Sequence, residues 1–304
     1  MTKRSLKLPS CYELAVSPQE TYVAALGRNV VVANLGSRER CWSSRALAHP
    51  AHAAFNADET QVVVKNSSGD IVTLDIAEGR VVARSEANGY DEGAEIHYSP
   101  RGDFVVDGSW NGVIRVRRAD SLSVVEEFTF RDEMVSAVSR TSDGTRWLFA
   151  HQPKTRDEDN SPSAPYLTLW DWPLRAPSRR LDPQFYSVGA ASISPCGSWV
   201  ATVGNSGGLP DGTVPPDQLR ISELSGKMRW ATDVTFSGTA YRARWSADSR
   251  LVGTIDRSGI SIFAADGLVP HRTVQNEFPS DIAIIQGGAY AVLGTWPKAW
   301  LEPL

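Results

Sequence analysis

The sequence predicts an all-β fold, a seven-bladed β-propeller, and three observations predict it. A short polar turn recurs seven times at a spacing near forty residues, apolar residues alternate with period two in a strand that follows it, and helical spacing is nearly absent. The turn reads Ser17-Pro18-Gln19-Glu20, Asn56-Ala57-Asp58-Glu59, Ser99-Pro100-Arg101-Gly102, Thr141-Ser142-Asp143-Gly144, Ser194-Pro195-Cys196-Gly197, Ser246-Ala247-Asp248-Ser249 and, shortened, Gln286-Gly287-Gly288. Each supplies good turn chemistry. Positions 18, 57, 100, 142, 195 and 247 are separated by 39, 43, 42, 53 and 52 residues, so the last two intervals call for insertions.

Before each turn lies a candidate innermost strand: Tyr12 to Val16, Ala51 to Phe55, Ala94 to Tyr98, Val135 to Ser139, Gly189 to Ile193, Tyr241 to Trp245 and Asp281 to Ile285. After it comes a run suited to a buried strand: Tyr22 to Leu26, Gln61 to Lys65, Phe104 to Asp107, Trp147 to Ala150, Trp199 to Val203, Leu251 to Ile255 and Tyr290 to Leu293. The third strand alternates, as in Val30 and Val32, Val72 and Leu74, Ile114 and Val116, Leu167 and Leu169, Leu219 and Ile221, and Ile260 and Ile262. Polar hairpins such as Glu78-Gly79 and Ser225-Gly226 lead to a fourth strand.

Leu169-Trp170-Asp171 at the end of a third strand resembles the signature of WD40 repeats, and the chain is similar to that family in rhythm along its whole length. The other units depart from Trp-Asp, with Leu74-Asp75, Arg117-Arg118, Ser222-Glu223 and Phe263-Ala264 at that place. The last unit has sequence for three strands only. Ser5-Leu6-Lys7-Leu8 has the right length to be its fourth, so the N-terminal strand is expected to pair with the last blade and close the ring. One domain over 1–304 follows, with blades over about 10–47, 48–88, 89–131, 132–183, 184–235, 236–276 and 277–304 plus 3–9.

Hydrophobic residues at 41% supply a packed core, and a net charge of −4 gives no overall attraction to nucleic-acid phosphates or anionic lipid. Cys11, Cys41 and Cys196 lack the paired spacing of a zinc site or disulfide framework. No apolar stretch reads as a secretory signal or membrane span, so the expected location is cytoplasmic, with no nucleic-acid or membrane partner.

The two insertions, 151–165 (HQPKTRDEDNSPSAP) and 205–218 (NSGGLPDGTVPPDQ), both fall between second and third strands of adjacent blades. They should project side by side from one face, where propellers of this kind usually bind. The same face should present Tyr90, Asp91, Trp110, Arg131, His151, Arg156, Asp157, Phe185, Tyr186, Phe236, Arg257 and Trp296 as candidate partner-binding residues. Aromatics and arginines are the usual anchors of interfaces. Trp110 and Trp296 read equally well as plugs between blades.

Other motifs carry less. Gly204-Asn205-Ser206-Gly207-Gly208 matches G-x-S-x-G, but Leu209-Pro210 follows where a nucleophile elbow needs a helix. His49 and His52 read as a blade-entry loop without a third ligand for a metal. Asp157-Glu158-Asp159-Asn160 lacks the glycine and terminal glutamate of a calcium loop. Arg115, Arg117 and Arg118 read as a solvent-facing basic row, and the innermost strands offer few acids, with only His52 and His97 besides. No catalytic residue, metal or cofactor is therefore expected. The expected function is a non-catalytic platform for a protein or peptide, monomeric alone or a subunit of a hetero-complex. The alternatives are a propeller enzyme (hydrolase- or lactonase-like) or ligand sensor at the channel mouth, and an immunity-type partner of a neighbouring gene's product.

Overall fold

A computed structural model describes residues 6–87, 92–154, 164–207, 216–232, 236, 239–276 and 278–304. In it the recurring turn closes the same way in six units. The first residue's N–H donates to the carbonyl five positions on, from Ser17 to Tyr22 through Ser246 to Leu251. Its side-chain oxygen accepts from that residue's N–H, at 2.9 Å for Ser17 and Tyr22, 2.8 Å for Asn56 and Gln61, and 2.9 Å for Ser246 and Leu251. This double bond is why the position is Ser, Asn or Thr. The fourth residue lies in the left-handed region, from φ 56 at Glu20 to φ 77 at Gly102. Glycine fills it in three turns. Where it does not, the side chain reaches a neighbouring blade: Glu20 accepts from Gln286 N–H and Glu59 from Gln19 N–H, both at 2.6 Å, and Ser249 Oγ from Cys196 N–H at 3.0 Å.

These turns join the first two strands of seven four-stranded antiparallel sheets. The first strands are Glu13–Val16, Pro50–Phe55, Ile96–Tyr98, Glu133–Arg140, Ser187–Ile193, Tyr241–Trp245 and Pro279–Ile285. Each touches the first strands of both neighbours, so they line a central channel and the sheets form a ring. The fold is a seven-bladed β-propeller.

The core lies between blades. Ala24, Leu26, Val30 and Val32 of the first blade pack on Phe55, Val62, Val64, Val72 and Leu74 of the second. Val63, on the opposite face of the same strand, packs on Ile96, Tyr98 and Val105 of the third. Both faces being buried explains the unbroken Val62-Val63-Val64 run. The fourth strands are largely exposed.

Closure follows the expected route. Lys7 and Leu8 pair with Trp300 and Ala299, and the sheet order places this strand outermost in the last blade. Leu6 and Leu8 are buried with Leu14, Val23 and Val292, which ties the first blade to the last. Trp170 of the Trp-Asp pair is buried against Phe128 and Phe149, and its Nε1 donates to Thr168 Oγ1 at 2.9 Å. No helix among the described residues is long and apolar enough to cross a membrane.

Candidate functional site

In an antiparallel meander the links after second strands and the links between blades leave at the same end. That end is the loop face; the recurring turns form the opposite, turn face. Trp110, Arg131, Tyr186, Arg257 and Trp296 are all exposed on the loop face, so neither tryptophan is a buried plug. Tyr90, Asp91, Arg156 and Asp157 lie outside the described residues, as do most of the two inserted loops.

Three candidates are corrected. His151 is 0% exposed because the second strand, Arg146–Pro153, runs on past the expected loop start. Its ring stacks on Tyr166 at 4.6 Å and meets the edge of Phe130, and burial pushes its pKa down to about 4. Phe185 is buried beneath the Arg220 guanidinium, 3.9 Å from its ring centroid. Phe236 is buried against Val203, Leu219 and Ala243, capping the core between two blades. The second inserted loop is also shorter than expected, since strands run through Asn205 and resume at Gln218.

The basic row is corrected as well. Arg117 is buried and its Nε donates to Asp107 Oδ1 at 2.8 Å, while the fully buried Lys65 of the preceding blade reaches Asp107 Oδ2 at 3.2 Å. One carboxylate between two cations makes this an inter-blade tie.

The loop face gains two residues that the sequence reading did not single out, Tyr12 and Phe278. Tyr12, Trp296 and Phe278 are 40%, 60% and 70% exposed. They are contiguous: the Tyr12 and Trp296 rings meet edge-on at 5.8 Å, and Trp296 N–H bonds the Phe278 carbonyl. Phe278 holds φ 57, a costly conformation for a bulky residue. The Arg242 guanidinium lies 5.6 Å from the Tyr12 ring centroid and connects this patch to the channel beneath.

The channel is not poor in acids. Glu13, Glu95 and Asp281 converge there with His52, Arg242 and Arg244. His52 is in a first strand rather than an entry loop, and its Nδ1 is 2.7 Å from Glu13 Oε2. Arg244 donates through Nε and Nη2 to the two oxygens of Asp281, both at 3.1 Å, and lies 3.6 Å from Glu13 and from Glu95. Leu14 N–H donates to Asp281 at 2.9 Å and Val138 N–H to Glu95 at 3.0 Å. A bulge beside Arg242, at φ 83, turns this part of the first strand toward the channel.

Burial alone would raise the pKa of Asp281, but the Arg244 and Arg242 charges outweigh it and hold the carboxyl below its ordinary value. The same balance keeps Glu95 low, through Arg244, His52 and Arg242. His97 is pushed down to about 4 by burial and by Arg140, so it is neutral. Two cavities flank the network: one of about 90 Å³ beside Ser136, Ser192 and Tyr241, and one of about 360 Å³ opening on the turn face. No group of three or more His, Cys, Asp or Glu among the described residues is arranged to hold a metal ion.

No family model matches the chain, and no curated protein does. Among solved structures it is similar to a chain of Kuenenia stuttgartiensis hydrazine synthase, with a TM-score of 0.81 over 98% of this chain and 96% of that one, at 15% identity. That likeness shows the fold alone.

Proposed function

We propose that this chain is a non-catalytic protein-binding platform whose partner docks on the loop face over the channel. The observation that carries the reading is the contiguous Tyr12, Phe278 and Trp296 patch. Large aromatic area left in water beside arginines is the composition of an interface centre. Trp110, Tyr186, Arg131 and Arg257 extend the same face. The channel supports the non-catalytic part, because its carboxylates are engaged by guanidinium, imidazole or backbone N–H groups.

Within this reading the chain is a divergent relative of the WD40 family, supported by Leu169-Trp170-Asp171 at the end of its strand and by the closure of the ring. A cytoplasmic location is supported by three free thiols, two of them exposed. The test is affinity capture from native extract with wild type and with the Phe278→Ala, Trp296→Ala double variant. A stoichiometric protein held by wild type and lost by the folded variant is expected. A partner set unchanged in the variant would remove the patch as the docking site.

A further inference from the structure

We infer that the channel mouth on the turn face binds a small monocarboxylate with an apolar body. This goes beyond the loop-face platform and does not rest on it, since the two sites lie at opposite ends of the channel.

The cavity of about 360 Å³ falls in the range of small-molecule pockets. Apolar side chains, Phe55, Trp245 and Ile284 among them, share its lining with Glu95, His97, Arg140 and Arg244, and the Arg140 guanidinium lies at the turn end. A pocket of this kind takes a hydrocarbon body and fixes it through a few polar groups at one end.

Arg140 identifies that polar group. The other channel cations have carboxylate partners: His52 has Glu13, Arg242 has Glu13 and Asp281, and Arg244 has all three acids. Arg140 ends the first strand of the fourth blade, and among the described residues no carboxylate lies within ion-pair distance of it. Its two hydrogen bonds, to the carbonyls of Thr141 and Ser142 at 3.2 and 3.3 Å, both use Nη1. They hold the planar group by one corner and leave Nε and Nη2 for a ligand. Those two donors match the paired oxygens of a carboxylate. The nearest compensating charge is the exposed Asp143 carboxylate beyond ion-pair distance, which does not outweigh the burial of the guanidinium, and an anion entering from the mouth offsets that remaining cost.

The neighbouring groups narrow the class. His97 Nε2 bonds the Val138 carbonyl at 3.0 Å, so its proton is committed there and the neutral ring adds no second cation. Glu13, Glu20 and Glu95 also line the cavity. One available guanidinium edge in a lining with three carboxylates accepts a single negative charge and disfavours a dianion such as phosphate. Phe55 and Trp245 favour an aromatic or branched aliphatic body.

The experiment is isothermal titration of the full chain with benzoate, with benzyl alcohol and inorganic phosphate as controls that lack the charge and the body respectively. Benzoate is expected to bind one to one, and both controls at least tenfold more weakly. Arg140→Gln should weaken benzoate at least tenfold, while Arg272→Gln on the exposed outer strand of the sixth blade leaves it unchanged. Ala247→Trp, at an exposed turn position on the rim, should block the mouth and abolish binding without touching Arg140. It decides the question if Arg140→Gln does not fold. No benzoate binding to wild type, equal binding by folded Arg140→Gln, unaltered binding by Ala247→Trp, or controls that bind as well as benzoate would each overturn the inference.

Discussion

Replacing Asp281 by asparagine removes the charge at the centre of the channel while preserving shape. Asp281 is 0% exposed, takes two bonds from Arg244 at 3.1 Å, one from Leu14 N–H and one from Ile282 N–H, and has Arg242 Nε at 3.6 Å. Removing one partner of a buried ion pair costs about 3–5 kcal/mol, because the other charge stays buried without compensation. Arg244 keeps Glu13 and Glu95 at 3.6 Å, and the asparagine oxygen can still accept one N–H, which puts the expected loss near 3 kcal/mol. In a chain of this size that is roughly a 5 °C fall in Tm, read by tryptophan fluorescence. The pH dependence supplies the control. A carboxyl held below its ordinary value stabilises the fold fully above the unfolded value of about 3.9 and loses that contribution as pH falls through the lower folded value. The gap between wild type and Asp281→Asn should therefore be constant from about pH 5 to 8 and narrow below about pH 4. A fall in Tm under about 2 °C, or a gap that widens in acid, would refute the account of the network.

Leu8→Ala in the closing strand should cost about 2–4 kcal/mol in urea unfolding, whereas the exposed Lys7→Ala should cost under about 0.5; equal costs would contradict closure through the buried face. Between about pH 6.5 and 4, stability should fall with falling pH, because the unfolded chain takes up protons that buried His97 and His151 refuse; His151→Gln should flatten that slope in denaturation curves measured across the range. Cys196 should react first with iodoacetamide at neutral pH, followed by peptide mass spectrometry. Burial opposes its ionisation, but hydrogen bonds from Ser194, Ser198 and Ser249 outweigh this and bring its pKa down to about 7, while burial raises those of Cys41 and Cys11. Earlier labelling of Cys41 would contradict that arrangement.

Local chemistry made the blades readable. Ser17, Ser99 and Ser194 announce turns because their side chains bond the backbone five positions on, and Gly102, Gly144 and Gly197 because the chain turns left-handed there. The closing strand was readable from a unit one strand short. The channel network was not, because Leu14 and Asp281 are 267 positions apart and, apart from the Arg242 and Arg244 pair, its charges are scattered singly over different blades. Its available signal was the repeated position: Glu13, His52, Arg242 and Asp281 fall within the first three residues of a first strand and Glu95 just before one, with bulges beside His52, Arg242 and Asp281. Phe185 and Phe236 looked like surface anchors because they occupy links between blades, yet both side chains are buried in the inter-blade core. His151 was misplaced because polar residues can continue a strand when a neighbouring blade buries them.

The central claim, docking on the loop face, is tested most directly by placing a photo-cross-linking amino acid at Trp296 and, separately, at Val269 on the exposed rim of the sixth blade. The account predicts a cross-link to one protein partner from position 296 and none from 269. A cross-link from 269 alone would contradict it and move the interface to the blade rim.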